Sequence, residues 1–588
     1  MLKKQLICYN ITNIIDTLKK RKRRQKLKEE EKNVGQPEES IQQLKISTSE
    51  EIVEQQEIQN TEKKISNSNN KRKNKAIIYV LLIMITAIIG CGAYMIINSK
   101  KEEQPKTDTT ESEAEQKKSA YYISGNSLEK FDLYFLQLEN KQENKLYSPL
   151  SIKYALEMLA EGSKGETKTQ IDSVIGEYAA KKYNNSKNIS FANAMFIRDT
   201  YKNRILPSYT EKLASKYNAE IIYDSFANAN NMNKWVSNKT FKLIDGLFDN
   251  ESVSKENFAL VNALAIDMEW TKKIQLTTKD NYEDRYDVKY KHEDFKHAIH
   301  VIGDMYGYKS IKFDNNKTNA KTVEIGAAIN NYDIVKELGE DNIRNTVTAE
   351  YKKWLTTNGY KETEPNIKNY IDKHIEELNS NYKQFTASTD FYLYDDDNVK
   401  TFAKDLKEYD GTTLQYIGIM PKQTTLEDYI KNIDVNNINN IISNLKEIKN
   451  ENFKEGVVTQ IVGDIPLFKF DYTLDLKEDL KQLGITNVFD IDKADLSEII
   501  SDEKQYIDSV SHKANIEFSN EGIKAAAATQ IGGAGDVSAG FEYLYKVPVE
   551  KIDLTFDKPY FFLIRDKKSG EIWFTGTVYT PVEGEFAK

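Results

Sequence analysis

From Ala76 to Ile97 the chain reads AIIYVLLIMITAIIGCGAYMII, 22 residues without a charged side chain. As a helix rising about 1.5 Å per residue, such a run crosses a hydrocarbon core of about 30 Å. It starts too far from Met1, behind too much chain, for a cleaved export signal. A buried core helix is the other structure open to it. The upstream flank carries Lys71, Arg72, Lys73 and Lys75; downstream, Lys100 and Lys101 are followed at once by Glu102 and Glu103. This bias predicts a single-pass plasma-membrane protein with a cytoplasmic N-terminus and an extracytoplasmic C-terminal part.

The span divides the chain. Residues 1–75 read as a mostly disordered cytoplasmic tail and 98–123 as an extracytoplasmic stalk. Both are rich in Glu, Gln, Asn and Lys and too poor in apolar residues to offset chain entropy. A net charge of −9 argues against bulk attraction to nucleic acid. The basic run Lys19–Lys28 reads as a solvated or anionic-lipid-contacting segment, with a nucleic-acid arm as the other reading. The two cysteines, Cys8 and Cys91, both precede the stalk, so an exported domain after it must be held by its core without disulfides.

From Ser124 the pattern changes. Leu128, Phe131, Phe135 and Leu138 recur at helical spacing. Helical and strand-like segments then alternate to the end. Ile552 to Val578 reads as strands, with a turn at Lys567-Lys568-Ser569-Gly570. Residues 124–588 are therefore expected to form an α+β domain.

Particular motifs lie within it. Tyr147-Ser-Pro-Leu-Ser-Ile152 is followed by Ala155-Leu156 and Met158-Leu159, then by Glu161-Gly-Ser-Lys-Gly-Glu-Thr-Lys-Thr-Gln-Ile171. Phe191-Ala-Asn-Ala-Met-Phe-Ile197, Asn233-Lys-Trp-Val236, Lys239-Thr240, Leu260-Val-Asn-Ala263 and Glu269-Trp270 come next. Leu483-Gly-Ile485, Val488-Phe489, Ala494-Asp-Leu-Ser497, His512-Lys-Ala514, Glu521 to Thr529, Phe556 to Phe562 and Thr575-Gly-Thr-Val578 with Pro581 complete the series. Each is weak alone. In this order, over roughly 124–585, the chain resembles the serpin family, as a membrane-anchored member of bacterial type with a large insertion. The resemblance implies three β-sheets, eight to nine helices and an exposed reactive-centre loop. It also implies a suicide mechanism: a serine or cysteine endopeptidase attacks the loop, and the cut loop enters the central sheet while still acylating the peptidase. The partner is then that endopeptidase, in a covalent acyl complex, with the bilayer held through 76–97. No enzyme activity, cofactor or nucleic acid is implied, and a monomer is expected. The alternative is a non-inhibitory serpin acting as a surface binding or display protein.

Entry into a sheet demands side chains that alternate at period two. Ile523, Ala525, Ala527, Thr529 and Ile531 form one small or apolar set, and Lys524, Ala526, Ala528 and Gln530 the other. By propensity alone the same run is a good helix, ended by Gly532, Gly533 and Gly535. By the resemblance, Gly522, Ile523, Lys524, Ala525, Ala526, Ala527, Ala528 and Thr529 are the loop hinge. Inhibitory relatives usually carry Thr or Ser in place of Ile523, and often Glu in place of Lys524, which puts the speed of entry in question.

The resemblance assigns Ser148, Ser151, Asn262 and His512 to the "shutter" where the strands part, and Trp270 to the "breach" near the top of the sheet, with Met268 in place of the usual Gly. Ser511-His512 has no nucleophile elbow or acid–base partners, which argues against a hydrolase. His292, His297 and His300 form an H-x4-H-x2-H cluster without paired cysteines, so no metal site is assigned.

Residues 296–388 do not follow the family pattern and read as a mostly helical insertion, with Trp354, Ile367, Tyr370, Ile371, His374 and Ile375 on one face. The family's cut lies about 14 residues past the hinge glycine, a strand of roughly 46 Å at about 3.3 Å per residue. That places the scissile bond at Asp536–Val537. Gly522 to Pro559 is 37 positions, a dozen or so longer than in many relatives. If the excess precedes the cut, the bond moves to Lys546–Val547.

Overall fold

The helical spacing after Ser124 becomes the helix Lys130–Leu138, which buries Phe131, Leu133, Phe135 and Leu136. A reciprocal capping box between Glu129 and Asp132 satisfies its first backbone donors. The structure is a computed structural model that describes residues 127–274, 287–288, 299–300, 309–361, 363–508, 510–523, 541, 543 and 545–581. The expected tail, span and stalk lie outside the described residues. Among those described, no helix is long and apolar enough to cross a membrane.

Four sheets organise the described chain, apart from a two-stranded pair, Asp287–Val288 with Ile299–His300. One sheet has seven strands in the order Lys145–Tyr147, Ile572–Val578, Tyr560–Asp566, Leu414–Pro421, Val399–Asp405, Tyr392–Asp395 and Lys446–Glu447. Its C-terminal hairpin pairs Tyr560 with Val578 around the turn expected at Lys567–Gly570. A second sheet centres on Thr318–Asn330. Lys309–Phe313 and Phe385–Ala387 share one of its edges, Val458–Pro466 takes the other, and Val549–Asp553 runs parallel outside that. The remaining two sheets do not pair with each other and are the two parts of an interrupted central sheet. Glu220–Asp224, Ile189–Arg198 and Phe258–Ile266 form one part; Phe468–Asp475 and Ser511–Phe518 form the other, extended by Gly522–Ile523 and by Met268–Glu269, which follows Phe258–Ile266 in the chain.

Twelve α-helices occur among the described residues, more than the eight to nine expected. Three of them, Ile334–Leu338, Glu340–Thr357 and Glu364–Asn381, fall in the insertion, and nine lie outside it. The insertion is not helical throughout. Its first part contributes strands to the second sheet, because Val323, Ile325, Ala327 and Ile329 bury one face at period two.

A buried ionic cluster closes the N-terminal part of the domain onto its last strand. Lys153, on the almost wholly buried helix Pro149–Glu161, lies 3.2 Å from Asp132 and 3.9 Å from Glu571, and all three side chains are 0% exposed. Glu571 also accepts a hydrogen bond from the Tyr183 hydroxyl, and Tyr147 Oη donates to the backbone oxygen of Asp132 at 2.6 Å. Burial holds the Asp132 carboxyl above its ordinary pKa even with Lys153 beside it. Substituting Lys153→Met leaves buried Asp132 without a cation and Glu571 with only the half-buried Lys181, 3.4 Å away, and should cost about 3–5 kcal/mol. Denaturant unfolding of the domain measures this; a loss under about 1 kcal/mol would show that the cluster is not held together by its cation.

Candidate functional site: the Ser519–Ile523 reversal and the strands beside it

Strand Ser511–Phe518 ends in a tight reversal. Ser519 donates its backbone N–H and its hydroxyl to the Gly522 carbonyl, each at 3.0 Å, and its hydroxyl accepts from the Gly522 N–H at 3.3 Å. The returning residues form a short strand: Ile523 pairs with Phe518 on one side and Met268 on the other, and Gly522 with Glu269. The beginning of the expected hinge therefore lies between the two parts of the central sheet, with Ile523 only 2% exposed. Gly522 permits this approach, since a Cβ there would meet the Met268 carbonyl oxygen at 2.2 Å. Lys524, Ala525, Ala526, Ala527, Ala528, Thr529, Asp536 and Val537 lie outside the described residues.

Trp270 seals the top of this junction. It is fully buried, packs on Phe518 with ring centroids 5.3 Å apart, and donates its indole N–H to the Ser519 carbonyl at 2.9 Å. Its backbone N–H donates to Glu521, also at 2.9 Å. Met268, in place of the usual Gly, presents its backbone to Gly522 and buries its side chain. Sequence reasoning passed over Ser519 and Asn520, although Ser-Asn-Glu-Gly is a turn signature.

Below Ile523, Phe258–Ile266 and Ser511–Phe518 have no strand between them among the described residues, and they do not pair with each other. The N-terminus of helix Pro149–Glu161 reaches both. The Ser148 N–H donates to His512 Nε2 at 3.0 Å, and the Ser151 hydroxyl donates to Asn262 Oδ1. Ser148 is also the helix N-cap, accepting from the Ser151 N–H at 3.1 Å. The four residues assigned to the shutter are thus brought together. A relay unread from sequence extends them: Asn262 donates to Asn193 at 2.7 Å, and Asn193 to the Tyr217 carbonyl at 2.9 Å. An internal cavity of about 150 Å³ adjoins this place, lined by Ser151, Leu156, Phe248, Glu256, Asn262 and His512 among others.

Of the other candidates, Lys546 is exposed while Val547 is 5% exposed. His292 and His297 lie outside the described residues, and His300 sits in the two-residue strand Ile299–His300. No group of three or more metal-ligating side chains occurs among the described residues.

Burial pulls the His512 imidazole down to about 4. Accepting the Ser148 N–H on Nε2 also requires the neutral ring. Because the folded pKa lies below the ordinary 6.5, this group stabilises the fold above about pH 6.5, and that contribution is lost as pH falls through about 4. Glu256 acts in the opposite sense. Burial and the Asp508 charge push it up to about 7 from 4.5, so its contribution holds below 4.5 and is lost as pH rises through 7. The whole-protein pH profile therefore mixes the two, and the ring itself is the cleaner reporter. Imidazole NMR, with His512 assigned by comparison with His512→Gln, should show titration near pH 4; a value of 6 or above would mean the shutter is open to water.

The profile of the family described as Serpin (serine protease inhibitor) matches residues 130–294 and 362–581, more than half of the chain. Human Serpin B4 is 23% identical over 77% of this chain and 97% of its own length. Iripin-5 of Ixodes ricinus is 23% identical over 74% of this chain and 89% of its own. A shorter match, 34% identical, links 20% of this chain to 27% of mouse Serpin B10. Among solved structures, human thyroxine-binding globulin complexed with thyroxine superposes with a TM-score of 0.50 at 16% identity, covering 77% of this chain and 96% of that one. The fold agrees, and with the family profile matched over most of the domain, this chain belongs to the serpin family.

Proposed function

We propose that the chain is a suicide-substrate inhibitor of a serine or cysteine endopeptidase. One observation carries this reading: Gly522 and Ile523 already form a strand between Phe518 and Met268–Glu269, at the end of the space between Phe258–Ile266 and Ser511–Phe518. The peptidase nucleophile adds to the scissile carbonyl, the C–N bond breaks, and the amine leaves with a proton as a new N-terminus. The acyl bond would ordinarily yield to water. Here the freed N-terminal limb continues the strand begun at Ile523, carries the acylated peptidase with it, and distorts the active site before deacylation. The protein is consumed, so it is not an enzyme, and the step needs no cofactor. The cut is assigned to Asp536–Val537. The protein acts as a monomer, anchored in the plasma membrane through residues 76–97 with the serpin domain outside.

Incubating the ectodomain with a panel of serine and cysteine endopeptidases should yield complexes that survive SDS. Cleaving the loop with a non-target peptidase should raise the melting temperature sharply, because the inserted limb completes a sheet. An unchanged melting temperature, with no stable complex, would favour a non-inhibitory binding or display protein.

The hinge variant Thr529→Arg should turn the inhibitor into a substrate. Thr529 belongs to the same alternating set as Ile523, so the guanidinium would have to enter the sheet at a cost of several kcal/mol. Insertion then stalls and the acyl-enzyme hydrolyses. Stable complexes at wild-type stoichiometry would refute the facing assigned to Thr529.

The topology follows from the basic flank before Ala76. Protease shaving of intact cells should remove the C-terminal domain; an epitope after Ser124 that stays protected until lysis would reverse the orientation.

A further inference from the structure

Two features stand out: the helical part of the 296–388 stretch, of which the family profile leaves 295–361 unmatched, and a loop about a dozen residues longer than in many relatives. They meet in space. Helices Glu340–Thr357 and Glu364–Asn381 share a core of Ile343, Val347, Leu355, Ile367, Ile371, Ile375 and Leu378. The same cluster takes in Tyr545 and Val547 from the distal limb of the loop, at 4% and 5% exposure.

The contacts are specific. Phe541 sits among three rings of the insertion, with centroids 5.2 Å from Tyr351, 5.8 Å from Tyr370 and 6.1 Å from Trp354. The Tyr370 hydroxyl donates to the Phe541 carbonyl at 3.0 Å. Deeper in, His374 Nε2 and the Tyr545 hydroxyl are hydrogen-bonded at 2.7 Å with their rings stacked. Beyond Val547, the Pro548 carbonyl accepts from Val458, and strand Val549–Asp553 follows.

We propose that the helical insertion is a clasp for the distal limb of the loop and so determines which bonds a peptidase can reach. A peptidase must take several residues on either side of a bond as an extended, exposed segment. The clasp withholds the aromatic and basic bonds at Tyr543, Tyr545 and Lys546, which suit chymotrypsin- and trypsin-like enzymes. Its grip lies after the proposed cut, so it does not oppose entry of the N-terminal limb into the sheet. With Ile523 fixed at one end and Phe541 at the other, 17 residues lie between the anchors. The extra length of the loop is thereby assigned to the side that stays behind. The proposal rests on the reading of this loop as peptidase bait, but its test does not require trapping.

The full chain is digested briefly with trypsin, and the cut at Lys546 is followed by mass spectrometry of the C-terminal fragment beginning at Val547. The variants Phe541→Ser and Tyr545→Ser alter the limb and leave the helix pair's own core intact. Each should raise the cutting rate at Lys546 at least tenfold. Tyr545→Phe, which removes only the hydroxyl held by His374, should raise it about threefold and decides the matter if the larger changes unfold the domain. Wild-type chain cut at Lys546 as fast as the variants, or variants no faster than wild type, would overturn the clasp. Failure to form SDS-stable complexes would count against inhibition and leave this result standing. A trapped complex that releases a fragment starting at Val547 would do the reverse.

Discussion

The structure depends on one reversal of the backbone, Phe518 to Ile523, held by the hydroxyl and N–H of Ser519 and by two hydrogen bonds from Trp270. It turns the chain back from the end of strand Ser511–Phe518 and sets Gly522 and Ile523 between that strand and Met268–Glu269. Only a residue without a Cβ fits against the Met268 carbonyl, so the glycine is a condition of the geometry. Ile523 then fills an apolar site next to Trp270 and Phe518. A Thr or Ser there would hold less apolar area, worth about 25 cal/mol per Å² removed from water. The isoleucine thus favours the pairing of Gly522–Ile523 with its two neighbours. Its bulk is accommodated in this pairing, where it is 2% exposed.

The helix Pro149–Glu161 carries two opposite duties. Its Lys153 is fixed in the fully buried cluster with Asp132 and Glu571, tying it to the first helix and to the start of the last strand. Its N-terminus holds the two parts of the central sheet by only two side-chain links, Ser148 to His512 and Ser151 to Asn262. A hydrogen bond of this kind contributes about 1 kcal/mol net, whereas breaking a buried ion pair costs about 3–5 kcal/mol. The frame is therefore stiff where the sheets close on one another and weakly linked between Phe258–Ile266 and Ser511–Phe518.

Much of this was legible in the sequence, for identifiable reasons. The first helix showed in Phe131 and Phe135, and the last hairpin in its alternation and its Lys-Lys-Ser-Gly turn, because both are local patterns. The Gly162-to-Gly165 motif was readable by resemblance. Its physical cause appeared only in three dimensions: a Cβ at Gly162 would meet the Ile499 side chain at 2.4 Å. The helical face of Ile367, Ile371, His374 and Ile375 was visible as periodicity and is buried, but what it faces was not visible. Its partners Tyr545 and Val547 lie some 170 residues further on, and a contact at that distance leaves no periodic trace. The strand Thr318–Asn330 was missed for a different reason. The stretch departs from the family pattern, and the helical reading of its neighbours was extended over an alternation that was there to be read.

The two anchors of the loop differ in chemistry, and the difference fits their positions. At the proximal end the contact is backbone pairing plus one aliphatic side chain, a mode that the next residues can repeat by adding strand pairs. At the distal end it is a cage of aromatic rings with two tyrosine hydroxyl contacts, a mode that cannot propagate along the chain. On the proposed mechanism, a limb that moves into a sheet needs a start that extends residue by residue. A limb meant to stay needs contacts that end where they begin. Tyr, Trp and Phe suit the second task because each ring covers a large area while surrendering only two side-chain torsions, and offset or edge contacts fix its orientation. The composition of the loop follows the same division: small residues from Ala525 to Ala528 after the sheet anchor, and aromatic residues at Phe541, Tyr543 and Tyr545 where the helices hold it.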